Sequence, residues 1–543
     1  MDKYFSYICA NMKRRYFLGS SAMAYAAIAG SSTIGLVSCK KENDIQSENI
    51  YSEAVVIGSG FGGSVAALRL GEAGVQTSII EMGKQYNASL SENVFSPTFG
   101  PDTRASFDTT TIQMPIGPSL PLKGKRRYGV LDRNKCSSDN TMDIYRGVCL
   151  GGGSVVYGGM LPMPRIELWN KHFPDITYEE MANTWFPKVK SIIQMSVVPE
   201  DVLMSDFYQY SRVGLEQCER AGLSKVFLTC GFDFNLVRGE INKTVKRSTT
   251  NGEMIFGVNN TAKNSLDRNY LPSAVGTGNV KIYTLHKVDT VRQLSDEKYE
   301  VLVTETDEYG NRLSQKTFTC KYLFVTAGVV GTMNILLKAK HEGGLANLND
   351  HVGKHWGNNG NTMVMRKIEG ESGAKQCAIP ITGYGNLDNS VAPLLAEQAP
   401  FPLGLELKAL LTLSIVDSPE RGYWEYNPSK DKAELKWNKA QHQISIDANK
   451  EFISKVLDTS GGSVDTSFVK NGGYTDDFTY HPLGGAVRGL ASDNYGRLQG
   501  HKNLYSIDGS MIPGFTCCAN PALTIAAIAE RCMENILKED IKI

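Results

Sequence analysis

The sequence predicts an α/β fold with α+β parts, built around a Rossmann-type dinucleotide-binding unit. The first observation is a glycine-rich loop at residues 58–63, which directly follows a short apolar strand. The second is a pair of later apolar strands that end in small or acidic residues, at 326–328 and 508–509. Open α/β sheets bind ligands at the carboxyl ends of their strands. We therefore expect these three strand ends to meet at one ligand site.

The composition is typical of a soluble, loop-rich enzyme with two or more domains. The chain has 543 residues, of which 41% are hydrophobic and 53 are glycine. Lys and Arg total 57, and Asp and Glu also total 57. This balance favours neither a nucleic-acid partner nor an acidic disordered tail. The 11 cysteines include no Cys-x-x-Cys pair and no zinc-ligand spacing, so we expect no metal site.

The first 39 residues are predicted to be an export signal. Arg14 and Arg15 form a twin-arginine pattern, and an apolar stretch at 18–37 follows. Residues 36–39 are similar to the bacterial lipobox, which predicts a lipid anchor at Cys39 in the periplasm or at the cell surface. The alternatives are an ordinary signal peptide cut near residue 38 or a slowly cleaved anchor. Residues 40–51 are predicted to be a polar tether.

The dinucleotide-binding unit begins at residue 54. An apolar strand at 54–57 leads into Gly58-x-Gly60-x-x-Gly63, and a helix at 65–70 and a second strand at 76–80 follow. Glycines at this spacing allow a tight turn, a close approach to a pyrophosphate and close helix packing. Glu81 closes the second strand about 20 residues after the first glycine, where an acid holds ribose hydroxyls. An acid at this position disfavours NADP and leaves FAD or NAD.

FAD is favoured over NAD by the rest of the chain. The sequence holds a single unit of this type. Residues 151–154 form another glycine-rich run, where backbone could approach a flat ring. The predicted hairpin strands at 299–305 and 315–325, and the apolar run at 407–416, indicate additional sheet structure.

Several separated motifs resemble those of the glucose-methanol-choline (GMC) flavoprotein oxidoreductases. Within this family, the chain is most similar to cholesterol oxidases that bind FAD non-covalently. The resemblance extends from about Ser52 to Leu537. The stretches that carry it are residues 71–77, 128–133, 151–154, 396–400, 419–422, 481–485, 495–497, 508–510 and 520–521.

The resemblance implies an FAD-binding domain assembled from three chain segments. These segments are residues 52–86, 260–350 and 476–543. Residues 87–259 and 351–475 are expected to form a substrate-binding domain and lid, whose β-sheet covers the flavin. The predicted cofactor-binding residues are Gly58, Gly60, Phe61, Gly63, Glu81, Gly151, Gly152, Gly153, Ser154, Val288, Ala327, Gly328, Asp508, Gly509, Asn520 and Pro521.

Three catalytic residues follow from the same resemblance. His481, with a pKa near neutral, is expected to accept the hydroxyl proton while hydride leaves for the flavin. Asn520 is expected to contact the substrate or the flavin. Glu397 is expected to move a proton from C4 to C6 of a steroid ketone, in an apolar setting that raises its pKa. The alternatives are a structural histidine before a proline, an Asx turn and a paired structural carboxylate, respectively.

Three departures from the family pattern are visible. Tyr157 lies where the family usually has an asparagine near the flavin. Val156 lies where covalently flavinylated relatives carry a histidine, which favours non-covalent FAD. Residues 115–127 include four basic side chains, where a loop that covers a sterol would be more apolar.

The predicted function is FAD-dependent oxidation of a 3β-hydroxysteroid to its ketone, with O2 reduced to H2O2 and Δ5-to-Δ4 isomerisation. The first alternative is a dehydrogenase of the same fold that acts on a non-sterol alcohol and passes electrons to a quinone or another acceptor. The second is a non-catalytic sterol-binding lipoprotein, and the third is an isomerase alone. The expected partners are a small alcohol and an electron acceptor. Membrane contact is expected through the lipid anchor or a sterol-extracting lid.

Overall fold

The computed structural model describes residues 47–112, 120–122, 124–125, 127–135, 137, 141–469 and 471–542. The predicted export signal, the lipobox cysteine and the tether up to residue 46 lie outside these residues, as does most of the basic stretch 115–127. Within that stretch, Arg127 pairs with Glu308, so this positive charge is neutralised inside the fold. In the described part of the chain, no helix combines the length and the apolar character needed to cross a membrane.

The predicted dinucleotide-binding unit is present and lies at the centre of a five-stranded parallel sheet. Ala54–Ile57 is the middle strand, and Phe61–Glu72 is the helix that follows the glycine loop. All four residues of the middle strand are buried, as a parallel sheet covered on both faces requires. The strands of this sheet are, in spatial order, Val280–Tyr283, Thr77–Ile80, Ala54–Ile57, Tyr322–Val325 and Leu504–Tyr505.

A buried ionic contact connects two helices that begin at the ligand site. Arg69 on Phe61–Glu72 donates from Nε and Nη2 to the two carboxylate oxygens of Glu530, at 2.6 and 2.7 Å. Glu530 lies on the helix Pro521–Ile536, is fully buried and also accepts from the Tyr270 hydroxyl at 2.9 Å. Because a broken buried ion pair is costly, this contact fixes the two helices relative to each other.

A four-stranded sheet packs beside the dinucleotide-binding sheet and corrects two predictions. Its strands are Ser47–Tyr51, Arg312–Cys320, Tyr299–Thr306 and His286–Gln293. The predicted tether is wrong for its last five residues, since Ser47–Tyr51 pairs in parallel with the otherwise free edge of Arg312–Cys320. The strand predicted at 315–325 is two strands in different sheets. The chain turns where the Lys321 and Tyr322 amides both donate to the Glu53 carbonyl at 3.1 Å.

A seven-stranded antiparallel sheet forms the second layer of the molecule. Helices Gln209–Arg220 and Gln443–Ser460 contact one face of it, and the other face is turned towards the glycine loop. The predicted strand at 407–416 is observed as Ala409–Val416 and is buried throughout. The strands are Ser224–Phe227, Thr382–Asn386, Leu394–Ala399, Ala409–Val416, Thr362–Lys367, Ser463–Val464 and Tyr474–Thr475.

The remaining elements are mostly short and connect or cover the two sheets. Residues 87–140, predicted to be a loop-built lid, contain strands of only two to four residues where they are described. One longer helix, Gly328–His341, follows the strand Tyr322–Val325 directly. The other helices are Gly153–Val156, Ile166–His172, Tyr178–Glu180, Phe186–Ile193, Glu200–Leu203, Phe234–Ile241 and Tyr270–Gly276. The other strands are Phe107–Thr109, Thr111–Ile112, Leu120–Pro121, Arg127–Tyr128, Leu131–Asn134, Asp143–Gly147, Ser196–Val197, Thr229–Cys230, Lys354–Gly357, Tyr423–Asn427, Lys432–Lys436, Phe478–Thr479 and Leu483–Gly485.

Candidate active site

A long cavity of about 820 Å³ lies between the two sheets. The glycine loop and Glu81 line its middle, and the antiparallel sheet forms one wall. One end is lined by Glu397, His481 and Asn520, and the other by Val288 and Lys338. The carboxyl ends of the parallel strands therefore open onto the same space as the second sheet.

The glycine loop leaves a helix N-terminus open to the cavity. The helix Phe61–Glu72 has no side-chain cap at Gly60 and no acid in its first turn. A β-carbon placed on Gly60 would meet no atom within 4 Å, whereas one on Gly58 would lie 2.6 Å from the Thr326 carbonyl oxygen. Gly58 also has φ +93°, a conformation that glycine adopts readily. Uncapped N–H groups beside open space suit a pyrophosphate.

Glu81 lies at the end of the neighbouring strand, as the spacing predicts. The Ser59 amide and hydroxyl donate to its Oε2 at 3.0 and 2.6 Å, and the Gly83 amide donates to Oε1 at 2.8 Å. Burial raises the pKa of Glu81 in spite of these donors. The carboxyl group is thus fixed on the cavity wall, where it can accept from ribose hydroxyls.

Most of the predicted cofactor-binding residues line this cavity, and three lie behind its wall. A β-carbon on Gly63 would lie 2.0 Å from the Gly58 carbonyl oxygen, so this glycine serves helix packing. Ser154 Oγ donates to the Gly151 carbonyl at 2.7 Å, and the Gly151 amide donates to Ser59 Oγ at 3.0 Å. The predicted residues in the lining are Gly58, Gly60, Phe61, Glu81, Gly152, Gly153, Val288, Ala327, Gly328, Asp508, Gly509, Asn520 and Pro521.

The three predicted catalytic side chains converge at one point of the cavity. Asn520 Nδ2 donates to Glu397 Oε2 at 3.2 Å and lies 3.4 Å from His481 Nε2. All three residues are buried. The sequence separates Glu397 from Asn520 by more than 120 positions, and the two sheets bring them together.

Neighbouring amides fix the tautomer of His481. Asn361 Nδ2 lies 3.0 Å from His481 Nδ1, while Asn361 Oδ1 accepts from the Tyr480 amide at 3.3 Å. Because a backbone N–H can only donate, this contact assigns the Asn361 oxygen and leaves its NH₂ group facing the imidazole. His481 Nδ1 therefore accepts, and the ring proton of the neutral imidazole is on Nε2, facing the cavity.

Burial lowers the pKa of His481 to about 3, so the predicted pKa near neutral is wrong. The cause is desolvation of the charged form, with no carboxylate bonded to the ring. An Nε2–H group cannot accept a proton from a ligand in the cavity, but it can donate a hydrogen bond to a ligand oxygen. Asn520 Nδ2 is also a donor, but its contact with Nε2 is 3.4 Å long, against 3.0 Å from Asn361 Nδ2 to Nδ1, so the shorter contact decides which nitrogen accepts.

Asn520 is directed into the cavity and does not form the Asx turn that was the alternative. It is the N-cap residue of Pro521–Ile536, yet its side chain makes no capping hydrogen bond. Its Oδ1 has no hydrogen-bond partner among the described residues, although it is buried.

Cys517 and Cys518, in the approach to this helix, both have φ +54°, which is strained for residues other than glycine. They are buried small side chains in a turn that places Asn520.

Glu397 projects from the antiparallel sheet and has no cationic partner in the described structure. It lies on Leu394–Ala399 opposite Leu413, which is in turn opposite Met363, and both neighbours line the cavity. Its Oε1 is buried without a hydrogen-bond partner among the described residues. Burial raises the pKa of Glu397 to about 8, and the hydrogen bond from Asn520 opposes this shift. The paired structural carboxylate, which was the alternative, is therefore not observed.

The amides that orient His481 were missed in the sequence. Asn359 Nδ2 also approaches Nδ1, at 3.4 Å, and donates to the Ala519 carbonyl at 3.0 Å. The Thr479 hydroxyl accepts from the His481 amide at 2.8 Å. Three asparagines in the four residues 358–361, just before a buried strand, are the signal that could have indicated a polar site. Gly484 allows the chain after His481 to approach the strand Lys354–Gly357, since a β-carbon there would lie 2.2 Å from the His355 carbonyl oxygen.

Comparison with known proteins identifies the family. The family model of the GMC oxidoreductases matches residues 28–356, and those of its C-terminal parts match residues 359–468 and 429–529. The chain therefore belongs to the GMC oxidoreductases, a family that binds FAD. The cavity fits this cofactor, since its uncapped helix N-terminus, its ribose-side carboxyl group and its length between two sheets suit a dinucleotide. In the described part of the chain, no cluster of three or more metal-ligating side chains is present.

The similar sequences are cholesterol oxidases, at low identity. The chain is 24% identical to one from Acinetobacter baumannii, over 90% of this chain and 95% of that protein. It is 25% identical to one from Mycobacterium tuberculosis (strain CDC 1551 / Oshkosh), over 88% of this chain and 90% of that protein.

Two solved structures share the fold of this chain. A pyridoxine 4-oxidase from Mesorbium loti matches with a TM-score of 0.61 at 13% identity, over 89% of this chain and 99% of that one. A fungal aryl-alcohol oxidase matches with a TM-score of 0.60 at 14% identity, over 90% and 99%. At these identities the likeness concerns the fold alone.

The tautomer of His481 can be measured directly. We expect His481 to be neutral at pH 5, with its proton on Nε2, because its pKa is about 3 and Nδ1 accepts from Asn361. ¹⁵N spectra of histidine-labelled protein report the protonation state of each ring nitrogen, and the His481→Gln variant identifies the signals among the 8 histidines. An imidazolium pattern at pH 5, or a proton on Nδ1, would contradict the assignment.

Proposed function

We propose that this protein is an FAD-dependent oxidase of a bulky, largely apolar secondary alcohol of the 3β-hydroxysteroid class. In this reaction the alcohol becomes a ketone and O2 becomes H2O2. A shift of the ring double bond from Δ5 to Δ4 follows. The observation that carries the proposal is the convergence of Glu397, Asn520 and His481 at one point of an apolar cavity that adjoins the dinucleotide site.

The lining around these three residues supports a substrate with a single polar group. Apart from them, the side chains at this end of the cavity are mainly aliphatic, thioether or aromatic. A rigid hydrocarbon would gain about 25 cal/mol for each Å² of apolar surface that it buries there. A sugar would leave hydroxyls unpaired. The lining includes Met160, Met254, Ile255, Met363, Phe401, Leu411 and Leu413.

The proton chemistry is assigned to Glu397. Its unpartnered Oε1 accepts the hydroxyl proton of the substrate, while the Nε2–H of His481 donates to the substrate oxygen. Bound FAD supplies the acceptor for the hydride that leaves the same carbon. Asn520 holds Glu397 through Nδ2 and offers Oδ1 to the hydroxyl before its proton is transferred. A carboxylate with a pKa of about 8 is a stronger base than an ordinary glutamate.

The same carboxyl group serves the isomerisation. Once the ketone has formed, Glu397 first gives up the hydroxyl proton, which is consumed with the hydride when O2 is reduced to H2O2, and is a carboxylate again. A proton on C4 is then acidified by the adjacent carbonyl, whose oxygen accepts from His481. Glu397 removes this proton and returns it to C6, so the net change is a shift of the double bond. The apolar surroundings that raise the pKa of Glu397 also exclude water that would compete for the proton.

FAD is proposed to be bound without a covalent bond. Val156 lies in the cavity wall and carries no nucleophile. His481 is engaged by Asn361 through the nitrogen that is not protonated. The uncapped helix N-terminus and the Glu81 carboxyl group provide non-covalent contacts for the pyrophosphate and the ribose.

A substrate panel tests this function. We expect purified holoprotein with O2 to release H2O2 from a Δ5-3β-hydroxysteroid and to form the conjugated ketone, which absorbs in the ultraviolet. Sugars and short primary alcohols should react at least about 10²-fold more slowly, because the hydroxyls of a sugar cannot all be paired in the cavity and a short alcohol buries little apolar surface there. Turnover of the steroid only with a quinone in place of O2 would contradict the oxidase assignment. Turnover of sugars alone would contradict the substrate class.

A matched pair of variants tests the isomerisation without the oxidation step. When the Δ5-3-ketone is supplied directly, the wild-type protein should convert it to the conjugated Δ4-3-ketone. The Glu397→Gln variant should not convert it. His481→Gln should retain part of this activity, since it keeps the base. Conjugation at the wild-type rate in Glu397→Gln would exclude Glu397 as the base.

We also propose that the protein is exported through its twin-arginine signal and anchored by a lipid on Cys39. The support is the sequence motif at Arg14 and Arg15 together with the lipobox at 36–39. Cys39→Ser should move the protein from the membrane fraction to the soluble fraction of the producing cells, because the acylated thiol is lost. Continued sedimentation of the variant with membranes would contradict the lipid anchor.

A further inference from the structure

A β-hairpin stands at the end of the cavity that is remote from His481. Its strands, Tyr423–Asn427 and Lys432–Lys436, pair antiparallel and pack against the helix Gly328–His341. Trp424 and Leu435 of the hairpin are buried in the same core cluster as Leu336 of that helix. The base of the hairpin is therefore anchored, and its tip reaches the cavity through Asp431 and Lys432.

The helix Gly328–His341 leads from the glycine loop to this tip. Gly331, Asn334, Ile335 and Lys338 line the cavity, at the three- and four-residue spacing of one helix face. Lys338 lies ten residues after Gly328, which is about 15 Å along the helix axis. If the reacting ring of bound FAD were beside His481 and its phosphates at the loop, the adenylate half would extend along this face towards Lys338.

An ion pair joins the helix to the hairpin at the tip. Lys338 Nζ lies 2.8 Å from Asp431 Oδ1, and 3.8 Å from Glu342 on the next turn. The Tyr426 hydroxyl donates to the same Asp431 oxygen at 2.5 Å. Asp431 has φ +47°, a left-handed conformation that Asp and Asn tolerate better than most residues. The turn thus directs the carboxylate at Lys338.

A second contact joins the hairpin to the same helix. The Ala433 amide donates to Asn334 Oδ1 at 2.7 Å. The two contacts differ in exposure, since Asn334 and Ala433 are largely covered, whereas the Asp431 side chain is 64% exposed and that of Lys338 is 20% exposed. The ion pair is therefore the part of this closure that can open while the hairpin base stays packed.

We propose that this hairpin is a clasp over the adenylate end of the FAD site, and that the Lys338–Asp431 pair is its latch. The latch sets how quickly FAD leaves, because a long dinucleotide enclosed between two sheets is released only when one end opens. The inference rests on the non-covalent FAD of the proposed function and does not depend on which alcohol is oxidised.

The dissociation rate of FAD tests the clasp without reference to catalysis. Full-length holoprotein is diluted into an excess of a flavin scavenger, and loss of the protein-bound flavin spectrum is followed. Asp431→Asn keeps the size and backbone tolerance of the turn residue but removes its charge. The rate should rise about twofold to fivefold, as for other partly exposed ion pairs. Lys338→Met should give the same rise from the helix side, and the double variant should give no further increase.

Salt and a neighbouring ion pair provide the controls. In 1 M NaCl the wild-type rate should approach that of Asp431→Asn, because salt screens an exposed pair, and the variant should change little. Asp350→Asn is the matched control. Asp350 pairs with Lys340 of the same helix at 2.6 Å, and neither residue lines the cavity. We expect this variant to release FAD at the wild-type rate.

Three release-rate results would overturn the clasp. These are a wild-type rate in both Asp431→Asn and Lys338→Met, an equal rise in Asp350→Asn, or additive effects in the double variant. Flavin that stays with the acid-denatured chain would overturn it too, and would separately contradict the non-covalent FAD of the proposed function. A failed substrate panel would leave the release rates, and therefore this inference, unchanged.

Discussion

Burial in an apolar cavity controls the charge of the ionisable groups at the candidate active site. Desolvation acts in opposite directions on the two titratable residues that meet there. It raises the pKa of Glu397 to about 8 and lowers that of His481 to about 3, because each environment disfavours the charged form. The carboxyl group is thereby made a stronger base and the imidazole a neutral donor. The proposed division of roles between them follows from their surroundings more than from their residue types.

This constraint explains why two sheets of different kinds are combined. The parallel sheet provides strand ends and helix N-termini that suit a dinucleotide, but these regions are rich in backbone donors and are not apolar. The antiparallel sheet supplies the apolar wall of the cavity. In this wall, Leu413 and Met363 on the neighbouring strands flank Glu397. Asn520 lies at the boundary, at the start of a helix of the dinucleotide-binding domain, and contacts Glu397 across the cavity. The contact between Arg69 and Glu530 fixes the position of that helix relative to the glycine loop.

The sequence predicts the parts of this arrangement that depend on local patterns. The glycine loop and Glu81 are encoded within about 30 consecutive residues, and His481, Asn520 and Glu397 each lie in a short motif that the family resemblance marks. What the sequence does not contain is the environment of these residues. Asn361 is 120 positions from His481, so the tautomer emerges only when the chain folds. The near-neutral pKa expected for His481 failed for the same reason, since burial is a property of the whole cavity. Likewise, Ser47–Tyr51 is polar enough to suggest a tether, and only the free edge of a distant strand makes it part of a sheet.

The most direct test of this account is the pH dependence of flavin reduction by a 3β-hydroxysteroid in the absence of O2. The account predicts that the rate rises with pH through about 8 in the wild-type protein, because Glu397 accepts a proton only when it is ionised. In Glu397→Gln the rate should fall by roughly 10²–10⁴-fold and lose this dependence. If Glu397→Gln reduces its flavin at the wild-type rate and His481→Gln does not, the proton acceptor is the imidazole, and the central claim is contradicted.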